Sequence, residues 1–263
     1  MVSQFRSTRA RIQSFTLCGL LLLLSQSISA ESARDPFSAE LELGPTWQSR
    51  NDIQIPNDSE GDRFSLKDIA GSGPWAGARI NLSWDVAGRH GMRAVLAPFG
   101  YEESGLLDQN VRFAGEDFQG GDAVDVDYRF NSWRLGYRYR ALDRNNWRLW
   151  VGGTLKVRDA KIELTQEGRN AKDTDLGVVP LLYFAGEYRF NDRWHFAFDF
   201  DGLAGGPGRA VDLSLKLGYR LNENWRLNAG YRTLEGGADT DDIYAFAWFN
   251  TALFSIEYRP QRR

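Results

Sequence analysis

The chain is poor in the residues that carry much protein chemistry at neutral pH. Among 263 residues there is one cysteine, Cys18, and there are two histidines, His90 and His195. One cysteine excludes an internal disulfide and a multi-thiolate metal site. Two histidines leave little material for general-base catalysis. Long apolar runs are scarce too. The longest, residues 15–24, lies near the start. No later stretch approaches the ~18 apolar residues of a spanning helix.

Arg6, Arg9 and Arg11 precede that run, and the small residues "SQSISA" (25–30) follow it. This is the layout of a secretory signal peptide over residues 1–30. Cleavage is expected after Ala30, with Ser29 as the alternative because Ile28 stands at the −3 place. Cys18 lies inside the apolar run rather than at its end, which argues against a lipoprotein signal. Taking away these three arginines leaves 29 cations against 35 carboxylates in residues 31–263, a balance of −6. That sign excludes a general nucleic-acid binder. The segment 31–263 reads as one domain.

What is abundant is aromatic: nine Trp, ten Tyr and 16 Phe. They sit in segments that alternate with period two. In "VDLSLKLGYRL" (211–221), Val211, Leu213, Leu215, Leu217, Tyr219 and Leu221 share one face. Asp212, Ser214, Lys216, Gly218 and Arg220 share the other. "WAGARINLSWDV" (75–86) repeats the pattern. One face is apolar with aromatics at strand ends; the other mixes small residues with charges. An apolar exterior with aromatic girdles and a polar lumen marks a transmembrane β-barrel. Only a helix or a closed barrel satisfies its backbone in lipid.

The fold class expected is therefore an all-β, transmembrane, antiparallel up-and-down barrel of about ten strands, with eight or twelve still open. The strands fall near 37–48, 75–87, 91–100, 122–140, 146–159, 176–190, 194–202, 209–221, 224–234 and 243–259. Short turns ("AGRHG", "ALDRN", "NDR", "NEN") alternate with the longer stretches 49–74, 101–121 and 160–175. Short turns belong to the periplasm in such barrels. In 122–140 the apolar phase is even at Val124, Val126, Tyr128 and Phe130, then odd at Trp133, Leu135, Tyr137 and Tyr139. A β-bulge at Asn131–Ser132, with an upper half standing above the membrane, accounts for the change.

The three segments "NNWRLW", "NDRWHF" and "NENWRLN" place Trp147, Trp194 and Trp225 just after periplasmic turns, facing lipid. There they form an inner aromatic girdle with Trp84, Tyr188, Tyr219 and Tyr258. Trp47, Trp133, Tyr231 and Trp248 fall near the opposite interface. The residue after each girdle tryptophan must face inward.

Lumen-lining candidates follow from the same alternation: Arg79, Arg93, Arg134, Arg138, Arg148, Lys156, Glu187, Arg189, Asp199, Asp212, Lys216, Arg220, Arg226 and Glu257. Glu40, Glu42, Asp85, Asp201, Arg158 and Arg232 share this inward phase. Such charges either brace the wall as a salt-bridged plug or line a narrow passage preferring anions. The outer stretches are acidic, for example Asp58, Glu60, Asp62, Glu116, Asp117, Asp239, Asp241 and Asp242. "LEGGADTDD" (234–242) lacks the ordered spacing of a calcium loop and reads as a hairpin tip. Both histidines fall on the periplasmic side, away from an outer-rim reaction centre. No catalytic set, metal site or cofactor site stands out.

"RNDIQIP", "YRFNSWRLGYRYR", "VRDAKIEL", "VVPLLYFAGEYRF", "DGLAGGPGRA" and "YRTLEGGAD" together resemble a group of uncharacterised Gram-negative outer-membrane β-barrel proteins. The resemblance implies fold and location. Phe254, Ile256 and Tyr258 alternate as a C-terminal assembly strand does, but "RPQRR" follows. The expected function is a narrow channel or small-ligand binder. The alternative is a structural or surface-interaction barrel acting through its acidic loops, and an outer-leaflet enzyme ranks below both. The expected partners are outer-membrane lipids, lipopolysaccharide and the barrel-assembly machinery, with no nucleic acid and a monomeric state.

Overall fold

The computed structural model describes residues 37–206 and 208–260. The segment 1–30, expected to be a signal peptide, lies outside the described residues. In chain order the elements are β1 (Phe37–Gln54), β2 (Phe64–Ser65), α1 (Leu66–Ala70), β3 (Trp75–Ala87), β4 (His90–Ala97), β5 (Gly100–Leu106), β6 (Val111–Phe113) and β7 (Glu116–Phe118). They continue as β8 (Ala123–Arg144), β9 (Trp147–Gln166), β10 (Arg169–Arg189), β11 (Trp194–Gly205), β12 (Gly208–Arg220), β13 (Trp225–Asp239) and β14 (Tyr244–Tyr258). Neighbours in the chain pair antiparallel, and β14 closes on β1 from Ala39↔Tyr258 to Gln54↔Tyr244. Both β4 and β5 pair with β8, so they are two segments of one wall position. The wall is a closed, antiparallel barrel of ten strands.

Local chemistry explains the turns. Asn191 Oδ1 accepts from the backbone N–H of Arg193 and Trp194, at 2.8 and 2.9 Å. Asn222 Oδ1 does the same for Asn224 and Trp225, at 2.9 and 3.0 Å. An asparagine three residues before the tryptophan thus folds the turn on its own side chain. Each tryptophan then meets a tyrosine across the strand pair: Trp147–Tyr188 at 4.8 Å, Trp194–Tyr219 at 5.0 Å and Trp225–Tyr258 at 4.8 Å between centroids. Such pairs contribute about 0.5–1.5 kcal/mol beyond their buried area. Between this girdle and Trp47, Tyr231 and Trp248 runs a belt of exposed apolar residues, among them Leu43, Ile80, Leu135, Leu155, Phe184, Leu215 and Phe254.

Two sequence expectations are corrected. Residues 160–175 are no long loop: β9 and β10 run on to Gln166↔Arg169 around a two-residue turn. Glu167 and Gly168 both take positive φ, 43° and 82°, as the tight hairpin turn matching strand twist requires. Nor is there a bulge at Asn131–Ser132. The β8–β9 register is unbroken from Asp125↔Thr165 to Arg140↔Trp150. Even-numbered residues of β8 face inward throughout, from Val124 to Arg134. What changes is the medium. Inside the belt the interior is polar (Ser132, Arg134); above it the interior is apolar (Val124, Val126, Tyr128). Register shifts do occur in β3 between Asp85 and Ala87 and in β8 between Arg140 and Leu142, and the one in β1 falls between Gln48 and Arg50. It carries the inward phase from Glu42, Thr46 and Gln48 to Asn51 and Ile53.

The apolar interior above the belt is a core in its own right. Ile53, Leu66, Phe113, Phe118, Val124, Val126 and Leu164 are almost fully buried in it, with Tyr101, Tyr128 and Phe249 alongside. The stretches 49–74 and 101–121 therefore fold down as a cap instead of forming free loops. Trp75, Tyr101 and Tyr128 stack in succession, at 4.0 and 5.0 Å between centroids. Burial raises the phenol pKa of Tyr101 and Tyr128 above the ordinary value.

Candidate functional site

The inward side chains of the belt form an ion-pair layer across the barrel. Its hub is Asp212 on β12, which accepts from Arg79 Nη2 at 2.7 Å, Arg134 Nη2 at 2.5 Å and Arg232 Nη1 at 2.5 Å. A second hub is Asp201 on β11. It accepts from Arg93 at 2.8 Å, Arg134 Nη1 at 2.7 Å and Thr154 Oγ1 at 2.7 Å. Asp199 takes Arg93 Nη2 at 3.3 Å and the Tyr183 hydroxyl at 3.0 Å. On the other wall, Glu42 receives Lys216 Nζ at 2.6 Å and Arg232 Nη2 at 2.9 Å. Glu40 receives Lys216 at 2.7 Å and Ser255 Oγ at 2.5 Å.

In this layer short carboxylates on one wall are reached by long arginines from others. Arg134 and Asp201 are 4% and 0% exposed, and Asp212 is 2%. Buried ions of this kind persist only when each is paired and hydrogen-bonded. Lys156 joins the layer differently: its ammonium lies 4.7 Å from the Phe130 ring centroid, where the ring quadrupole attracts a cation.

Below the layer, toward the short turns, a second set of pairs surrounds a cavity of about 100 Å³. Glu187 accepts from Arg226 at 3.0 Å and Arg259 at 3.1 Å. Arg259 also donates to Glu257 at 2.5 Å. Arg138 pairs with Asp85 at 2.7 Å, and Arg148 lies 3.6 Å from Asp143. Trp150, Tyr183 and His195 line the same space. Above the layer a cavity of about 80 Å³ separates it from the aromatic cap.

Most sequence candidates thus converge on the lumen: Arg79, Arg93, Arg134, Arg138, Arg148, Lys156, Glu187, Asp199, Asp212, Lys216, Arg226 and Glu257. Arg189 does not. It is exposed and donates to the Asn145 carbonyl at 3.1 Å, at the turn end. Arg220 is the last residue of β12 and stands half-buried at that same rim. Two contributors escape the sequence reading. Arg259 lies one residue past β14, beyond the alternation, yet its guanidinium enters the lumen. Trp150 is an aromatic on the polar face, and its 9% exposure contrasts with 40% for Trp147. Its even position, in phase with Arg148 and Lys156, was the available signal. The outer acidic residues Asp58, Glu60, Asp62, Glu116 and Asp117 stay at the surface. His195 is buried near Glu187, and His90 Nδ1 lies 2.6 Å from the Tyr137 hydroxyl at the turn end.

No protein-family model and no curated protein matches the chain. Among solved structures it is similar to the outer membrane protease OmpT from Escherichia coli, with 12% identity and a TM-score of 0.50 over 88% of this chain and 100% of that one. It is also similar to Ail, the attachment invasion locus protein of Yersinia pestis, at 12% identity and TM-score 0.37, over 85% of this chain and 98% of that one. Neisserial surface protein A gives 12% and 0.39, over 87% and 100%. At such identities the likeness to the protease shows fold alone. The chain has the fold of the Gram-negative outer-membrane β-barrels.

Proposed function

We propose that this chain is an integral outer-membrane barrel that binds a small ligand and does not conduct ions at rest. One observation carries the reading: the ion-pair layer spans the lumen, its charges are spent on one another, and cavities remain on either side of it. A conducting passage needs sites that an ion can enter and leave. Here Arg134 and Arg232 are each already held by three protein oxygens, and Arg93 by four. The apolar cap adds a second closure above. Both histidines stand at or below the layer, toward the short turns, so an outer-rim reaction that uses a histidine base has no support in this chain.

Single-channel recording in planar bilayers tests the reading. Wild-type barrel in 1 M KCl should show no unitary steps. Steady unitary conductance in wild type, abolished by neutralising Arg134 or Arg232, would replace the binder with a channel.

A further inference from the structure

The barrel wall has a seam. β3 pairs with β4 from Ala87↔His90 up to Ile80↔Leu96. Above that rung, among the described residues, Trp75–Arg79 pair with β1 alone. The facing chain there is Ala97, the last residue of β4, followed by Pro98 and Phe99 before β5, and Pro98 has no N–H to offer a ladder. Higher up the wall is rejoined by side chains instead of backbone. Trp75 stacks on Tyr101, and its Nε1 donates to Glu103 at 2.7 Å. The lower edge of the seam, Ile80 and Leu96, is exposed on the apolar belt at 41% and 42%. The opening therefore faces hydrocarbon in the half of the belt nearer the cap.

The cavity of about 80 Å³ lies behind this seam. Gly77, Ala78 and Arg79 line it from one side and Ala97, Pro98 and Phe99 from the other. Its roof is apolar, with Phe130, Leu234 and Phe249, and its floor holds Arg79, Arg232 and Glu42. Arg79 Nη1 and Arg232 Nε are buried there without a hydrogen-bond partner, an expensive arrangement for a charged donor.

We infer that the seam admits an unbranched alkyl carboxylate from the outer leaflet, head first, so that the carboxylate meets Arg79 and Arg232 while the tail trails through the seam into the bilayer. The volume suits this division. It equals roughly two or three liquid-water volumes, enough for a carboxylate and its first methylenes and too small for a whole chain. The inference rests on the closed-barrel reading and names its ligand class.

The test uses the full chain folded in phosphatidylcholine liposomes at pH 8. The probes are 2-bromododecanoate and the matching neutral 2-bromododecanol, whose bromine quenches tryptophan at contact. Trp75 borders the seam, and the difference between wild type and Trp75→Phe isolates its signal. The carboxylate should quench Trp75 saturably, and the alcohol should bind at least about tenfold more weakly because it offers no charge to the guanidinium groups. Ala97→Leu, which fills the cavity, should remove the saturable component while heat-modifiable migration shows the barrel folded. Equal, non-saturable quenching by acid and alcohol in wild type overturns the inference, with or without a folded Ala97→Leu variant. That result with no conductance leaves the closed barrel standing. Conductance in wild type removes the reading beneath it.

Discussion

The lower and upper halves of β8 and β9 are one pair of strands in one register, yet they are built inside out from each other. In the belt, Arg134 and Lys156 point inward while Leu135 and Leu155 point out. Above it, Val126 and Leu164 point inward, while Asp127, Lys161 and Glu163 point out and pair with one another. The backbone alternation is identical. Only the outer medium differs, hydrocarbon below and water above, and the interior takes whatever the exterior refuses. A change in apolar phase along a strand thus marks a membrane boundary as readily as it marks a bulge.

The comparison breaks first at the ionic hub. Asp212→Asn leaves three buried arginines short of one carboxylate. Breaking such a cluster costs about 3–5 kcal/mol, read as a lower urea midpoint for loss of the heat-modifiable band. An unchanged midpoint would mean that water already screens the layer. Next comes the outer face. Leu215, 43% exposed between Phe198 and Tyr231, should tolerate arginine poorly: lying between the midplane and the Tyr231 edge of the belt, a charge there should cost about 1–2 kcal/mol. The smallest effect is the mirror experiment above the belt. Lys161→Leu removes the pairs with Asp127 and Glu163, partly exposed to water, and should change stability by less than ~1 kcal/mol. Equal costs for the Leu215 and Lys161 variants would erase the distinction between halves.

Much of this was legible in advance. Strand number, the turns and the girdle follow from period two and from asparagine placed three residues before tryptophan. Twelve of the fourteen named lumen candidates reach the lumen for the same reason. Arg189 and Arg220 do not, because alternation assigns a face but not a height, and both stand at the end of their strands. Arg259 was hidden for the converse reason: it lies outside the alternating segment, and a long side chain carries its charge back in.

By itself the sequence determined the period, the polarity of each face and the strand ends, because these depend on neighbours along the chain. The tertiary structure decided which charges meet: Arg79 and Asp212 are 133 positions apart in the chain, yet hydrogen-bonded at 2.7 Å. It also decided that residues 49–74 and 101–121 form a cap and that the wall opens above Ile80 and Leu96. Those outcomes depend on barrel closure, which brings distant strands face to face across a narrow lumen. Periodicity along one strand carries no record of what stands opposite.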